Sequence, residues 1–151
     1  DVPVLLVQGS AKALDAPTRA TLKALRATTA TIAGGPNSVS TGIQSALGTA
    51  LGGTVTRLDG ANRFEASIAV NRAAFTSSAT VYLATGYNFP DALAGGVLAG
   101  VQDAPLYIVP TDCVPRGVLA DIVSLKARTV TLLGGPVSLN ASVESLSACA
   151  A

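Results

Sequence analysis

Arg57 and Arg63 stand six positions apart in the segment RLDGANRFEAS at 57–67, in a chain where only 13% of residues are charged. A guanidinium presents a planar fork of donors that matches carboxylate or phosphate oxygens. The pair is therefore a candidate anion-binding site. A plainer role competes with it. Gly60 reads as a turn residue, and Asn62 reads as a helix N-cap with Glu65 three positions on, close to a capping box. Glu65 in a first helical turn also complements the helix dipole, whereas Arg63 at the same place opposes it. Arg63 thus needs a carboxylate partner or an anionic ligand.

The segment ATGYNFPDALAGGVLAG at 84–100 offers such a partner. Pro90 suits the first position of a helix, where its missing N–H costs nothing, and Asp91 then falls in the first turn. Either Arg63 and Asp91 pair to organise the rim of a sheet, or one of them meets a ligand directly. Ala92, Ala94, Gly95, Gly96, Ala99 and Gly100 make the helix thin enough to pack closely on its neighbours. The Gly-Gly-Pro turns at 34–36 and 134–136 can either present N–H groups to an anion or simply supply positive φ. Neither completes a dinucleotide fingerprint or a P-loop, so no nucleotide cofactor is expected.

Catalysis has little to work with. There is no His, no G-x-S-x-G elbow, and no spacing that singles out a carboxylate pair among Asp59, Glu65 and Asp91. Cys113 and Cys149 are the only cysteines. With no His and no further Cys they do not make a tetrahedral metal site. They form either a disulfide, which implies an oxidising, extracytoplasmic compartment, or two buried thiols.

The elements that must position these residues follow from hydrophobic patterning. Short Val/Ile/Leu/Thr runs at 3–7, 30–33, 54–58, 80–84, 105–109 and 129–133 read as strands buried on both faces. Helical spacing fills 17–27, 39–50, 62–75, 91–101, 115–126 and 139–147. This alternation predicts an α/β, Rossmann-like fold, a mostly parallel sheet with flanking helices. It is also repeated: TIAGGP at 31–36 returns as TLLGGP at 131–136, and PVLLV at 3–7 as PLYIV at 105–109. Residues 1–52 therefore read as the second half of a preceding repeat unit and residues 53–151 as one complete unit.

Composition narrows the function. The chain has 151 residues, enough for a continuous core, and only 4% are aromatic, so that core is aliphatic. No run of 18 apolar residues occurs despite a mean hydropathy of +0.49, so no membrane span is expected. A net charge of +1 without a basic cluster lacks the footprint of nucleic-acid binding. Position 1 already opens an apolar strand, so the sequence reads as a mature or excised segment.

Taken together, RLDGANRFEAS, then ATGYNFPDALAGGVLA, then APLYIV followed by TVTLLGG resemble the cell wall-binding repeat 2 modules of Gram-positive surface and secreted proteins. The likeness covers 53–148 as a whole unit and 1–52 as the tail of another. Arg57, Gly60 and Arg63 match the family's R-L-x-G-x-D-R run, and Asn88, Phe89, Asp91 and Ala92 match its N-F-x-D-A segment. Asn62 stands where the family often has Asp, and Ala66 where it often has Thr. The two cysteines resemble placements in actinobacterial members, which adds to the disulfide reading. The resemblance implies tandem modules that pack on one another and anchor a protein non-covalently to an anionic secondary polymer of the wall. Arg57, Gly60, Arg63, Asn88 and Asp91 are then the expected polymer-binding residues, at the cell wall or cell surface, with no cofactor. The alternative is a structural packing or spacer domain, with the arginines as ordinary capping and pairing residues.

Overall fold

The computed structural model describes residues 2–150. The chain divides into two compact units, Asp1–Ala61 and Asn62–Ala151. The first holds α1 (Ala16–Ala24), β1 (Thr29–Ala33), α2 (Thr41–Leu51) and β2 (Thr54–Leu58). Asp15 caps α1 by accepting from Thr18 N, and Ser40 caps α2 by accepting from Ile43 N. β1 and β2 pair in parallel, Thr29 opposite Thr54 and Ala33 opposite Leu58. Their helices close a small aliphatic core of Leu14, Leu22, Ile32, Ile43 and Leu47. The repeat places β2 at the start of the unit beginning at 53, yet its hydrogen bonds put it in the first compact unit.

One expected strand is missing. Residues 3–7 take no strand conformation, and Val4 and Leu6 are 85% and 92% exposed. The counterpart of this run in the second unit lies against a central strand. No strand occupies that place among the described residues of the first unit, so the run has no ladder to join.

The second unit contains α3 (Arg63–Ala74), β3 (Thr80–Thr85), α4 (Pro90–Val101), β4 (Leu106–Val109), α5 (Arg116–Ser124), β5 (Thr129–Leu133) and α6 (Ala141–Glu144). Its sheet is parallel, in the order β4-β3-β5. Central β3 is buried on both sides, as a parallel strand between two helix layers must be. Val81 and Leu83 join Ile68, Val118 and Val143 from α3, α5 and α6 in the larger core. Tyr82 points the other way, to Ala99 of α4. Gly95 allows α4 to approach, since a Cβ there would sit 2.2 Å from Leu133 Cδ1. Gly96 and Gly100 face open space, so the small-residue packing face is narrower than the sequence suggests.

The two Gly-Gly-Pro turns repeat in three dimensions. Gly34 and Gly134 have φ of 117° and 123°, and Ser38 N and Ser138 N donate to Gly35 O and Gly135 O. The glycines supply positive φ here. Cys113 and Cys149 form a disulfide, which ties the entrance of α5 to the segment after α6. Among the described residues no helix is long and apolar enough to cross a membrane.

A buried polar cluster joins α3, β4 and α5. Asp121, 4% exposed, accepts from Arg72 Nε at 2.8 Å and from the Tyr107 hydroxyl at 3.2 Å. Burial, and then the Asp121 carboxylate, push the Tyr107 phenol well above its ordinary value of 10.0. The folded state therefore holds this proton after the unfolded chain has released it. Its contribution is intact below pH 10 and is lost progressively as pH rises beyond that. Denaturant titrations from pH 9 to 11.5 should show stability falling, and Tyr107→Phe should flatten the fall. An equally steep loss in the variant would assign it to other groups.

Candidate functional site

Parallel strands leave a crevice at their carboxyl edge, the usual ligand position in open α/β sheets. In the second unit that edge is where β3 ends at Thr85 and the chain crosses through Gly86–Phe89 into α4. Gly86 N donates to Val109 O at 2.9 Å, which fixes the crossing to the end of β4. A glycine after a strand ordinarily reads as a turn residue. At Gly86 the actual requirement is close approach, because a Cβ there would lie 2.6 Å from Phe64 Cε1.

Arg63 opens α3 beside this loop. Asn62 caps the helix, its Oδ1 accepting from Phe64 N at 2.9 Å and Glu65 N at 3.0 Å. The exposed Arg63 side chain donates through Nη1 to Gly86 O at 2.6 Å. It makes no ion pair with Asp91, so the carbonyl oxygen is what holds it. Arg63, Thr85, Tyr87, Asn88, Phe89 and Ile108 lie around a cavity of about 360 Å³, and Arg63 is the charged member of its lining. Asn88 Oδ1 accepts from Phe89 N at 3.0 Å, which leaves the amide NH₂ as a donor. Tyr87 stands edge-on to Phe64, ring centroids 5.7 Å apart.

The other expected residues are not in the lining of this cavity. Asp91 belongs to the first turn of α4 but sits on the Gly134 turn, its Oδ2 2.6 Å from where a Cβ of residue 134 would be. Arg57 and Gly60 belong to the first unit. The half-buried Arg57 guanidinium is already engaged: Nε donates to Gln44 Oε1 at 3.1 Å, Nη1 to Gly34 O at 2.6 Å and Nη2 to Ser40 O at 3.5 Å. It ties the end of β2 to the Gly-Gly turn and the cap of α2. Gly60 is exposed between β2 and α3, and among the described residues the glycines with positive φ are Gly34, Gly52 and Gly134.

The structure thus brings Arg63 and Asn88 together at one cavity, while the Asp91 carboxylate lies against the Gly134 turn. It adds two residues that sequence reasoning did not select. Tyr87 and Phe89 are 66% and 73% exposed, although large aromatic side chains are usually buried. Phe89 stood in the N-F-x-D-A match without being among the expected binding residues, and for Tyr87 the rarity of aromatic residues was the available signal.

A family model described as cell wall binding domain 2 (CWB2) matches residues 57–144, which is more than half of the chain. The chain belongs to this family. The match includes every element that builds the cavity. Similarity to solved structures extends over more of the chain. Cwp6 from Clostridium difficile superposes with a TM-score of 0.81 at 26% identity, covering 90% of this chain and 22% of that one. Cwp8 from the same organism gives 0.75 at 25% identity, with 89% and 23% covered. A curated relative, N-acetylmuramoyl-L-alanine amidase LytC of Bacillus subtilis (strain 168), is 25% identical over 112 residues, 74% of this chain and 22% of that protein. The chain spans about a fifth of the length of each of these. As a CWB2 member it is a cell-wall-binding module.

Proposed function

We propose that this chain is a non-enzymatic module that anchors a surface or secreted protein non-covalently to an anionic secondary polymer of the cell wall. It comprises the second half of a preceding repeat unit, 1–52, and one complete unit, 53–151, and packs with neighbouring modules. The observation that carries the reading is Arg63: an exposed guanidinium in the first turn of α3, held by a carbonyl, with no carboxylate in salt-bridge contact among the described residues, in the lining of a cavity. Such a group gains from an anion, which restores the charge balance that the helix start disfavours. Asn88 supplies a neutral donor beside it. Asp91 lies against the Gly134 turn, Arg57 ties down the end of β2, and Gly60 leads from it towards α3. The disulfide fits an extracytoplasmic location.

The experiment is retention on purified sacculi before and after stripping of anionic secondary polymer, at low and high salt. Retention should be lost on stripping and weakened by salt. Arg63→Gln should weaken it roughly tenfold, matching the ~1.5 kcal/mol of a hydrogen bond to a charged group. Lys23→Ala, at an exposed position of α1, should leave it unchanged. Equal effects of the two variants, with melting temperatures preserved, would remove the site.

A second reading has its own observation. Phe89, Leu93, Val97 and Val101 recur every four residues around α4 and are 73%, 70%, 70% and 81% exposed. An apolar stripe of this kind suits packing against another module. Retention that survives both polymer stripping and high salt would favour it.

A further inference from the structure

We propose that the Tyr87 ring is the platform for one acidic sugar residue, a pyranose carrying a carboxylate or phosphate, whose anionic group is taken by Arg63. This rests on the wall-polymer reading and names the piece of polymer that the cavity holds. The chain has three tyrosines, and two are core residues: Tyr82 is 4% exposed, its hydroxyl donating to Gln102, and Tyr107 is 1% exposed, its hydroxyl on Asp121. Tyr87 alone is held outward, at 66% exposure. Its tilt is set by the edge contact with Phe64, which in turn rests on Gly86, so the platform is built and not loose. An aromatic face is electron-rich, and the C–H face of a pyranose is its natural complement. The edge of the same sugar would then meet the Asn88 amide through a hydroxyl and Arg63 through its charge.

Two other ligand classes fit less well. A nucleic-acid strand needs several phosphate contacts, and this cavity has one cation in its lining. An apolar protein surface would use Phe89 together with Leu93 and Val97 on α4, and would not need Tyr87 or Arg63. Phe89 serves both geometries, so Tyr87 is the discriminating residue.

The test uses the full chain and soluble acidic polymer released from sacculi. With no Trp present and two tyrosines buried, the emission that acrylamide can quench comes from Tyr87. Added polymer should protect it. Tyr87→Ala should weaken binding about tenfold or more, as truncation of an aromatic anchor does. Tyr87→Phe, which keeps the ring, should stay within about twofold by the same argument. Polymer fragments of matched length whose carboxylates have been reduced, or whose phosphates have been removed entirely, identify which anion Arg63 holds, because only one treatment should abolish the Arg63→Gln difference. If the polymer binds with its Arg63 dependence but Tyr87→Ala is silent and quenching is unchanged, the sugar platform is overturned while the wall-binding module stands. If the wild-type chain does not bind the polymer, both are overturned.

Discussion

Arg72→Ala is expected to destabilise the second unit by roughly 3 kcal/mol, at the low end of what stranding a buried charge costs. Asp121 is the reason. Its carboxylate is nearly inaccessible to water and accepts from Arg72 and from Tyr107. Arg72 itself is 55% exposed, so deleting Asp121 would return the guanidinium to solvent. Deleting Arg72 instead leaves a buried anion with only the phenol as donor. That phenol, and water entering the space Arg72 vacates, keep the cost near the lower limit. A loss of this size corresponds to a fall in melting temperature of roughly 6–12 °C for a chain of this length. Arg128→Ala, on an exposed side chain, should change it by about 1–2 °C at most. A fall for Arg72→Ala as small as that would mean the carboxylate is solvated after all. Because α3, β4 and α5 all meet at this cluster, the same variant should lower protection of their amides together, and not that of α3 alone.

The architecture was legible in the sequence where local pattern and tertiary need coincide. The Val/Ile/Leu/Thr runs that become β1 to β5 are bounded by Gly or Pro, and each has a parallel neighbour. PVLLV has the same composition as these but no neighbouring strand, and a strand is a property of two chains, not one. The helix starts were legible too, because Asn62 and Pro90 carry explicit signals. The helix ends were not. α1, α4, α5 and α6 are followed closely by Arg26, Asp103, Lys126 and Leu146, all with positive φ between 49° and 60°. The usual sequence signal for that conformation is glycine. Without it the expected helices at 17–27, 115–126 and 139–147 run two or three residues too far.

The site was legible in the same uneven way. Arg63 stood out because a cation at a helix start is electrostatically misplaced, and that argument needs no coordinates. Arg57, at the end of an expected strand, carried no such signal, and its guanidinium is turned among Gln44, Gly34 and Ser40. Asp91 is adjacent to the cavity in sequence but its carboxylate lies against a turn 43 positions away, at Gly134. Tyr87 was invisible as a site residue, and Phe89 stood out only through the motif match, because burial is the default for an aromatic side chain and the crossing from β3 to α4 reverses it. Residues whose role depends on direction, and not on type, are the ones that needed the fold.

Removing the disulfide with Cys113→Ala and Cys149→Ala together should cost roughly 3–4 kcal/mol, from the closure entropy of a loop of this length. The bond spans 36 positions and encloses α5, β5 and α6. Around it the chain is already held by Val114 N on Ser147 O at 2.8 Å and Cys149 N on Val114 O at 3.0 Å, with Val114 fully buried. The native geometry therefore survives locally in the variant, and the effect falls mainly on the freedom of the unfolded chain. Reduction of the wild type should reproduce the double variant's melting temperature, and a difference of only a degree or two between oxidised and reduced protein would refute the estimate. The cavity residues lie outside the enclosed loop, on α3, the β3–α4 crossing and β4. Wall retention measured well below both melting temperatures should then be the same with and without the bond. If retention collapses while circular dichroism remains native, the cysteines position the binding surface. If retention follows the melting curve, they act on stability alone, and an oxidising compartment matters to this module because it keeps the cavity folded.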